Sequence, residues 1–339
     1  MSVKFKITGM EEQQDGTKRT DWIKKDGTAV KGKGGTEMML EKMMELVPKE
    51  LTDQVNIICS RVRDENLSKN KQNILWLHDT WDDPETQHLR EESSLKRFDK
   101  LVFVSNYQFQ TYHLAHQIPY SKSVVLKNAI VPFDKIKKSK RGKLKLIYHT
   151  TPHRGLELLV PIFETLWNDQ WKDKIQLDVF SSFSMYGWPQ KDEPFQAIID
   201  RCKEHEGINY HGAVDNKIVR KALEKPHIFA YPNNWPETSC ISAMEAMSAG
   251  CSIVCPNHAA LPETTANFAV QYQYNEDPQK HANYHVGLLN FLLENYWDEN
   301  HQAKLDIMKL YADQFYDWDN RASEWQGGIQ SVLQNAKSK

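Results

Sequence analysis

Residues 226–263 read PHIFAYPNNWPETSCISAMEAMSAGCSIVCPNHAALPE. The apolar run at 227–231 lies between Pro226 and Pro232, and its length suits a buried parallel strand rather than a helix. A polar loop follows, after which Thr238 or Ser239 can cap a helix running to about Ala249, where Gly250 stops it. A second apolar run, 251–255, returns to the sheet. The unit is therefore strand, loop, helix, strand, with the loop and the helix's first turn at the sheet's carboxyl edge. Open α/β sheets bind ligands at that edge, where free backbone N–H groups attract anions.

Two carboxylates mark the unit, Glu237 in the loop and Glu245 on the helix, with seven residues between them. That separation is too long for one i,i+4 pair, so they would serve different parts of one ligand. Taken singly they read as solvated surface charges. In this strand-loop-helix-strand setting, with Tyr231-Pro232 before the loop, Glu245-Ala246-Met247 on the helix, Gly250 after it and Pro262-Glu263 beyond, the pattern resembles the E-x7-E signature of retaining glycosyltransferases of family GT4, which have the GT-B fold. The resemblance implies that Glu237 holds the donor sugar's hydroxyls and Glu245 the ribose hydroxyls of the nucleotide. It also implies that the loop and first turn, Thr238, Ser239, Cys240 and Ile241, touch the donor.

Composition agrees with a two-domain α/β enzyme. The chain has 339 residues, enough for two ordinary cores, and 43 basic against 45 acidic residues give a net charge of -2. No bulk basic surface for nucleic acid or membrane is indicated. The five cysteines are scattered with no C-x2-C pair, which argues against a disulfide framework or structural zinc and for a reducing compartment. No signal-peptide pattern and no run of eighteen apolar residues occurs, so a cytoplasmic location is expected.

In chain order, residues 3–8 alternate as a strand, and 9–33 form a long polar stretch that is either flexible or functional. Gly34 and Gly35 let the backbone approach a ligand, and Thr36 can cap a helix over 37–46. This GGTE resembles the G-G-x-E that opens the first helix in many GT4 enzymes; the alternative is two glycines merely ending a loop. Residues 55–60 and 73–77 read as strands, with His78 at the end of the second. The resemblance places His78 beside the donor's anomeric carbon; a structural histidine is the plainer alternative. Asp79, Asp82 and Asp83 suit a turn or helix start before Pro84, and no metal site is expected. Residues 100–105 and 123–126 give two further strands, and a capped helix starts at Ser105-Asn106. Its V-S-N-Y, and Asn128 with Ile130, echo the family's V-S-x-x and P-N-G-[IV], although Lys127 and Ala129 stand where Pro and Gly are usual.

The basic run 135–143 reads as an interdomain linker, a nucleic-acid patch being the alternative. Beyond it, 145–149, 176–181 and 208–212 are strands. Arg154-Gly155-Leu156 resembles the family's [KR]-G-[LV], which implies that Arg154 grips the donor's diphosphate. The family's second basic residue is missing, and His149, Thr150 or His153 stand near its place. His211, Gly212 and Val214 match the G-x-V segment that flanks the nucleobase. Met185, Tyr186 and Trp188 can face a ligand or cover the core. Helical stretches at 283–297 and 302–325 carry Tyr316, Trp318 and Trp325, which are expected to pack in the core and against the first domain.

The resulting expectation is a GT-B protein with two Rossmann-like domains, 1–134 on the acceptor side and 144–312 binding the nucleotide-sugar. Residues 135–143 join them, and 313–339 return to the first. The expected reaction moves a sugar from a UDP- or GDP-sugar to a glycan, lipid or small-molecule acceptor with retained configuration. No cofactor is required, nucleic acid is not an expected partner, and peripheral membrane contact stays open. A DNA-modifying glycosyltransferase, another enzyme of this fold, and a non-catalytic sugar-nucleotide binder are the rival readings.

Overall fold

The computed structural model describes residues 34–337; the strand expected at 3–8 and the polar stretch after it lie outside the described residues. The first part of the chain runs α1 (Gly35–Leu46), α2 (Lys49–Thr52), β1 (Val55–Cys59), β2 (Gln72–Leu77), α3 (Glu92–Leu95), β3 (Lys100–Phe103), α4 (Asn106–His116) and β4 (Ser123–Val125). The strands form a parallel sheet in the order β1-β2-β3-β4. Its central strand shows why it is buried on both sides. Side chains alternate along a strand, so Ile74 and Trp76 join Met39, Met43 and Val102 on one face, while Leu75 and Leu77 join Phe98, Leu101 and Phe103 on the other.

The second part begins with β5 (Leu144–Tyr148), α5 (Leu156–Leu166), β6 (Ile175–Val179), α6 (Gln196–Glu204), β7 (Ile208–Tyr210), α7 (Asn216–Leu223), β8 (Ile228–Ala230) and α8 (Ile241–Ser248). It closes with β9 (Ser252–Pro256), α9 (Leu261–Thr264), β10 (Val270–Tyr272), α10 (Pro278–Asn295), α11 (Glu299–Phe315) and α12 (Trp318–Lys337). The six strands are parallel in the order β10-β9-β8-β5-β6-β7. Strand order reverses between β5 and β8, and that crevice is where such a sheet binds its ligand.

Two segments cross between the sheets, and they meet. Ile130 bridges to Asp317 and its N–H donates to the Tyr316 carbonyl at 2.7 Å. Beyond this point α12 lies on the first sheet, where Trp318 and Trp325 are buried and Trp325 meets Trp76 edge-on at 4.7 Å. The basic run 135–143 carries no helix or strand. Much of its charge is engaged: Lys138 donates to the Leu223 and Glu224 carbonyls, Lys140 sits over the Trp297 ring, and Lys143 pairs with Asp173.

The sheets also touch across the cleft. Glu263, in α9, accepts the backbone N–H groups of Asn106 and Tyr107 and pairs with Lys127 at 2.9 Å. A carboxylate from the second part thus reinforces the N-terminus of α4, whose Ser105 cap also satisfies Gln108 N–H. Burial opposes the Glu263 charge, but the bonds from Asn106 and Lys127 outweigh it and lower its pKa.

Candidate active site

A cleft of about 290 Å³ opens between the carboxyl edges of the two sheets. Its second-sheet wall is built by the segments that leave β5 and β8, on either side of the strand-order reversal. After β5 come His149, Thr150, Thr151 and Arg154; after β8 come Glu237, Thr238, Ser239 and Cys240, leading into α8 with Ile241, Ser242 and Glu245. From the first part, Gly34, Gly35 and Glu37 at the start of α1, His78 and Asp79 after β2, and Asn128 complete the enclosure.

Gly155 sets how closely these two loops approach. Its φ is +106°, and a Cβ there would lie 2.2 Å from the Pro232 carbonyl oxygen. Gly155→Ala is therefore expected to lower the unfolding free energy by about 2–4 kcal/mol, from left-handed strain plus a backbone clash. Gly142, at φ +84° with no atom within 4 Å of its would-be Cβ, is the control, and Gly142→Ala should cost only about 1 kcal/mol. Denaturant titration of both variants checks the difference.

The charged groups of the wall are paired with one another. Arg154 Nη1 donates to Glu237 Oε1 at 2.5 Å, and the Tyr231 hydroxyl donates to the same oxygen at 2.5 Å. Burial opposes the Arg154 charge, but Glu237 outweighs it and drives the guanidinium pKa up. Arg154 Nε has no hydrogen-bond partner among the described residues. One side chain can thus hold Glu237 with its terminal nitrogen while keeping a donor for an anion.

Glu245 is held by Arg220 of α7, whose Nη1 lies 3.1 Å from Oε1. Burial raises the Glu245 pKa, and Arg220 opposes the rise. Arg220 also donates to the Val131 carbonyl at 2.9 Å and sits 4.0 Å above the Phe133 ring, so it ties the acid to the segment that joins the two sheets. No sequence expectation included Arg220. Its neighbour Lys221 makes it look like surface charge, and only the shared face with Asn216, four residues earlier, carries a signal. Arg220→Gln is expected to weaken binding of a ligand at Glu245 about tenfold with kcat within about threefold, because it loosens that acid without removing it. Steady-state kinetics checks the split.

Two of the helices that open onto the cleft, α1 and α8, lack a side-chain cap; their N-caps are Gly34 and Cys240. The helices α2, α3, α5, α6 and α9 lack one as well, while α4, α7, α10 and α11 are closed by Ser105, Asp215, Asp277 and Asp298. The expectation that Thr36 caps α1, or that Thr238 or Ser239 caps α8, is corrected. Thr36 lies inside the first turn of α1. The Thr238 hydroxyl instead donates across the cleft to the His78 carbonyl at 2.8 Å, and Ser239 Oγ is buried without a partner among the described residues. Uncapped N-termini leave N–H groups and a positive dipole end available to an anion.

Most of the sequence candidates thus meet in one cleft: Gly34, Gly35, His78, Arg154, Val214, Glu237, Thr238, Ser239, Cys240, Ile241 and Glu245 line it. His211 and Gly212 do not. His211 stacks on Phe180 at 4.2 Å and bonds to Asp178, which turns its ring to the strand edge. Met185 and Tyr186 reach the cleft and Trp188 does not; His153 packs against Phe183 and Trp235 outside it. Arg61 pairs with Asp83 at 3.0 Å and lies 3.8 Å from Asp79, and no cluster of potential metal ligands is found among the described residues.

Two parallel α/β sheets facing one cleft across their carboxyl edges, with an anion-seeking wall on the second, define the GT-B glycosyltransferase fold. The chain belongs to the glycosyl transferases group 1 family, whose model matches residues 132–305, just over half of the chain. It is a glycosyltransferase. No curated protein matches its sequence significantly. Solved structures do match in fold. A glycosyltransferase from Rickettsia africae superposes with a TM-score of 0.62 at 14% identity, over 88% of this chain and 82% of that one. The Anabaena protein HepE, solved with UDP-glucose, gives 0.61 at 13% over 86% and 84%. The pneumococcal O-GlcNAc transferase GtfA, solved with UDP and GlcNAc, gives 0.60 at 11% over 91% and 66%. No helix among the described residues is long and apolar enough to cross a membrane.

Proposed function

We propose that the cleft binds a nucleotide-sugar, UDP-linked in the first instance, and transfers its sugar to an acceptor hydroxyl with retained configuration, as in family GT4. The observation that carries the reading is the Arg154–Glu237 pair at 2.5 Å beside the uncapped N-terminus of α8. Phosphate charge has a guanidinium and helix N–H groups to meet, and a carboxylate lies within reach of sugar hydroxyls. Complexes of HepE and GtfA with UDP ligands support UDP over GDP.

On this reading Arg154 and the α1 and α8 N-termini disperse the charge that grows on the diphosphate as the sugar–phosphate bond breaks. Glu237 orients the sugar, Glu245 takes the ribose hydroxyls, and His78 donates a hydrogen bond from the facing wall. The leaving phosphate deprotonates the acceptor on the same face of the sugar. Glycan, lipid and small-molecule acceptors all satisfy this chemistry, and a cytoplasmic location remains part of the proposal.

Thermal unfolding with UDP-glucose, GDP-mannose and ADP-glucose identifies the donor, since a ligand that binds only the folded form raises the melting temperature. Proton NMR of the product then gives the anomeric configuration. Retained configuration is expected. An inverted product, or no stabilisation by any of the three, overturns the reading.

A further inference from the structure

We propose, on the reading of the cleft as a donor site, that His149 is the second diphosphate ligand beside Arg154 and takes up a proton as the nucleotide-sugar binds. His149 directly follows β5, at the crevice between the two halves of the second sheet. It is only 9% exposed, yet it lines the cleft, and neither ring nitrogen has a hydrogen-bond partner among the described residues. A buried imidazole with two unsatisfied nitrogens is uncommon unless a ligand completes it.

The residue is fixed in place. Its ring packs on Phe229 at 4.6 Å, and its carbonyl accepts from Ser242 Oγ, in the first turn of α8, at 3.3 Å. The diphosphate drawn to that turn and to Arg154 therefore arrives beside His149. His153, the other nearby imidazole, stacks on Phe183 at 5.2 Å and does not line the cleft.

Burial pushes the His149 pKa down to about 4 in the free protein, against a smaller opposing pull from the Ser242 backbone, so the ring is neutral near neutral pH. The charged groups on the surrounding elements leave that state largely undisturbed. Arg154 is paired with Glu237 and Arg220 with Glu245, while Asp79 lies near Arg61. Glu37 of α1, His78 after β2, Tyr186 and the Cys240 thiol complete the titratable groups of the cleft. A bound diphosphate adds two negative charges and acceptors for both ring N–H groups, which favours the imidazolium. The ring is protonated in the complex and neutral without it, so affinity rises as pH falls toward the bound-state pKa and below it.

The test is isothermal titration of wild type and His149→Gln with UDP-glucose, GDP-mannose or ADP-glucose, whichever binds, in buffers of different ionisation enthalpy. Nucleotide-sugars are the right probe because their diphosphate is doubly esterified, whereas a terminal phosphate titrates at about pH 6 and would add its own protons. At about pH 6 the wild type is expected to take up on the order of half to one proton per ligand, with affinity falling up to about tenfold per pH unit as pH rises toward the bound-state pKa and levelling off above it. His149→Gln should take up none and lose the slope. Wild-type heats independent of buffer, or equal proton uptake by both proteins, overturn the assignment. Binding by none of the three nucleotide-sugars would instead remove the donor reading on which it rests.

Discussion

Arg154→Ala is expected to lower kcat/KM for donor turnover by about 10³-fold, the loss typical of removing a preorganised charge from a developing anion. The side chain is the cation set between the β5 and β8 loops, within 2.5 Å of Glu237 and with Nε free of any partner among the described residues. Its removal also leaves Glu237, which is only 3% exposed, without its counter-charge. The site would then become more negative where the diphosphate must sit, so donor KM is expected to rise along with the fall in kcat. Arg154→Lys should recover part of the loss, because an ammonium supplies the charge without the fork that holds Glu237 and a phosphate together. Steady-state kinetics on the three proteins checks the order. Turnover by Arg154→Ala within tenfold of wild type would remove the guanidinium from the chemistry.

Glu237→Gln is expected to reduce kcat by about 10²–10³-fold while nucleotide affinity stays within about threefold. The amide keeps the shape and a bond with the Tyr231 hydroxyl, but it gives up the charge proposed to face the sugar. The contacts proposed for the nucleotide, at Glu245 and the α8 first turn, are untouched. Because Arg154 and Glu237 bond directly, the double variant should lose less than the product of the two single losses. Full additivity would mean that the two groups act on separate steps.

Much of this site is readable along the chain because its scaffold is parallel sheet. Buried parallel strands are apolar runs, and β8 between Pro226 and Pro232 and β9 after Gly250 stand out without help from periodicity. The residues that leave those strands fall at the carboxyl edge by topology alone, which is why Arg154, Glu237 and Glu245 meet in one cleft. The failures share a cause, namely contacts made between distant parts of the chain. A threonine before a helix reads as a cap, yet the Thr238 hydroxyl reaches His78 on the facing sheet. Arg220 reads as a surface cation until α7 is laid against α8. His211 reads as a nucleobase neighbour by position, but Asp178 on β6 draws its ring away. Strand β10 is only three residues long and follows the left-handed Ala266 and Asn267, so no pattern reveals it. By contrast, Asp277-Pro278 did carry a helix start, an acid cap before a proline, ahead of the start expected at Asn283.

A crystal structure of the protein with the nucleotide-sugar that most raises its melting temperature tests the assignment most directly. Diphosphate oxygens are expected within about 3.2 Å of Arg154 and of the first N–H groups of α8, with the ribose at Glu245 and the sugar at Glu237. A nucleotide seated outside the cleft, or one whose phosphates lie away from Arg154, would contradict it.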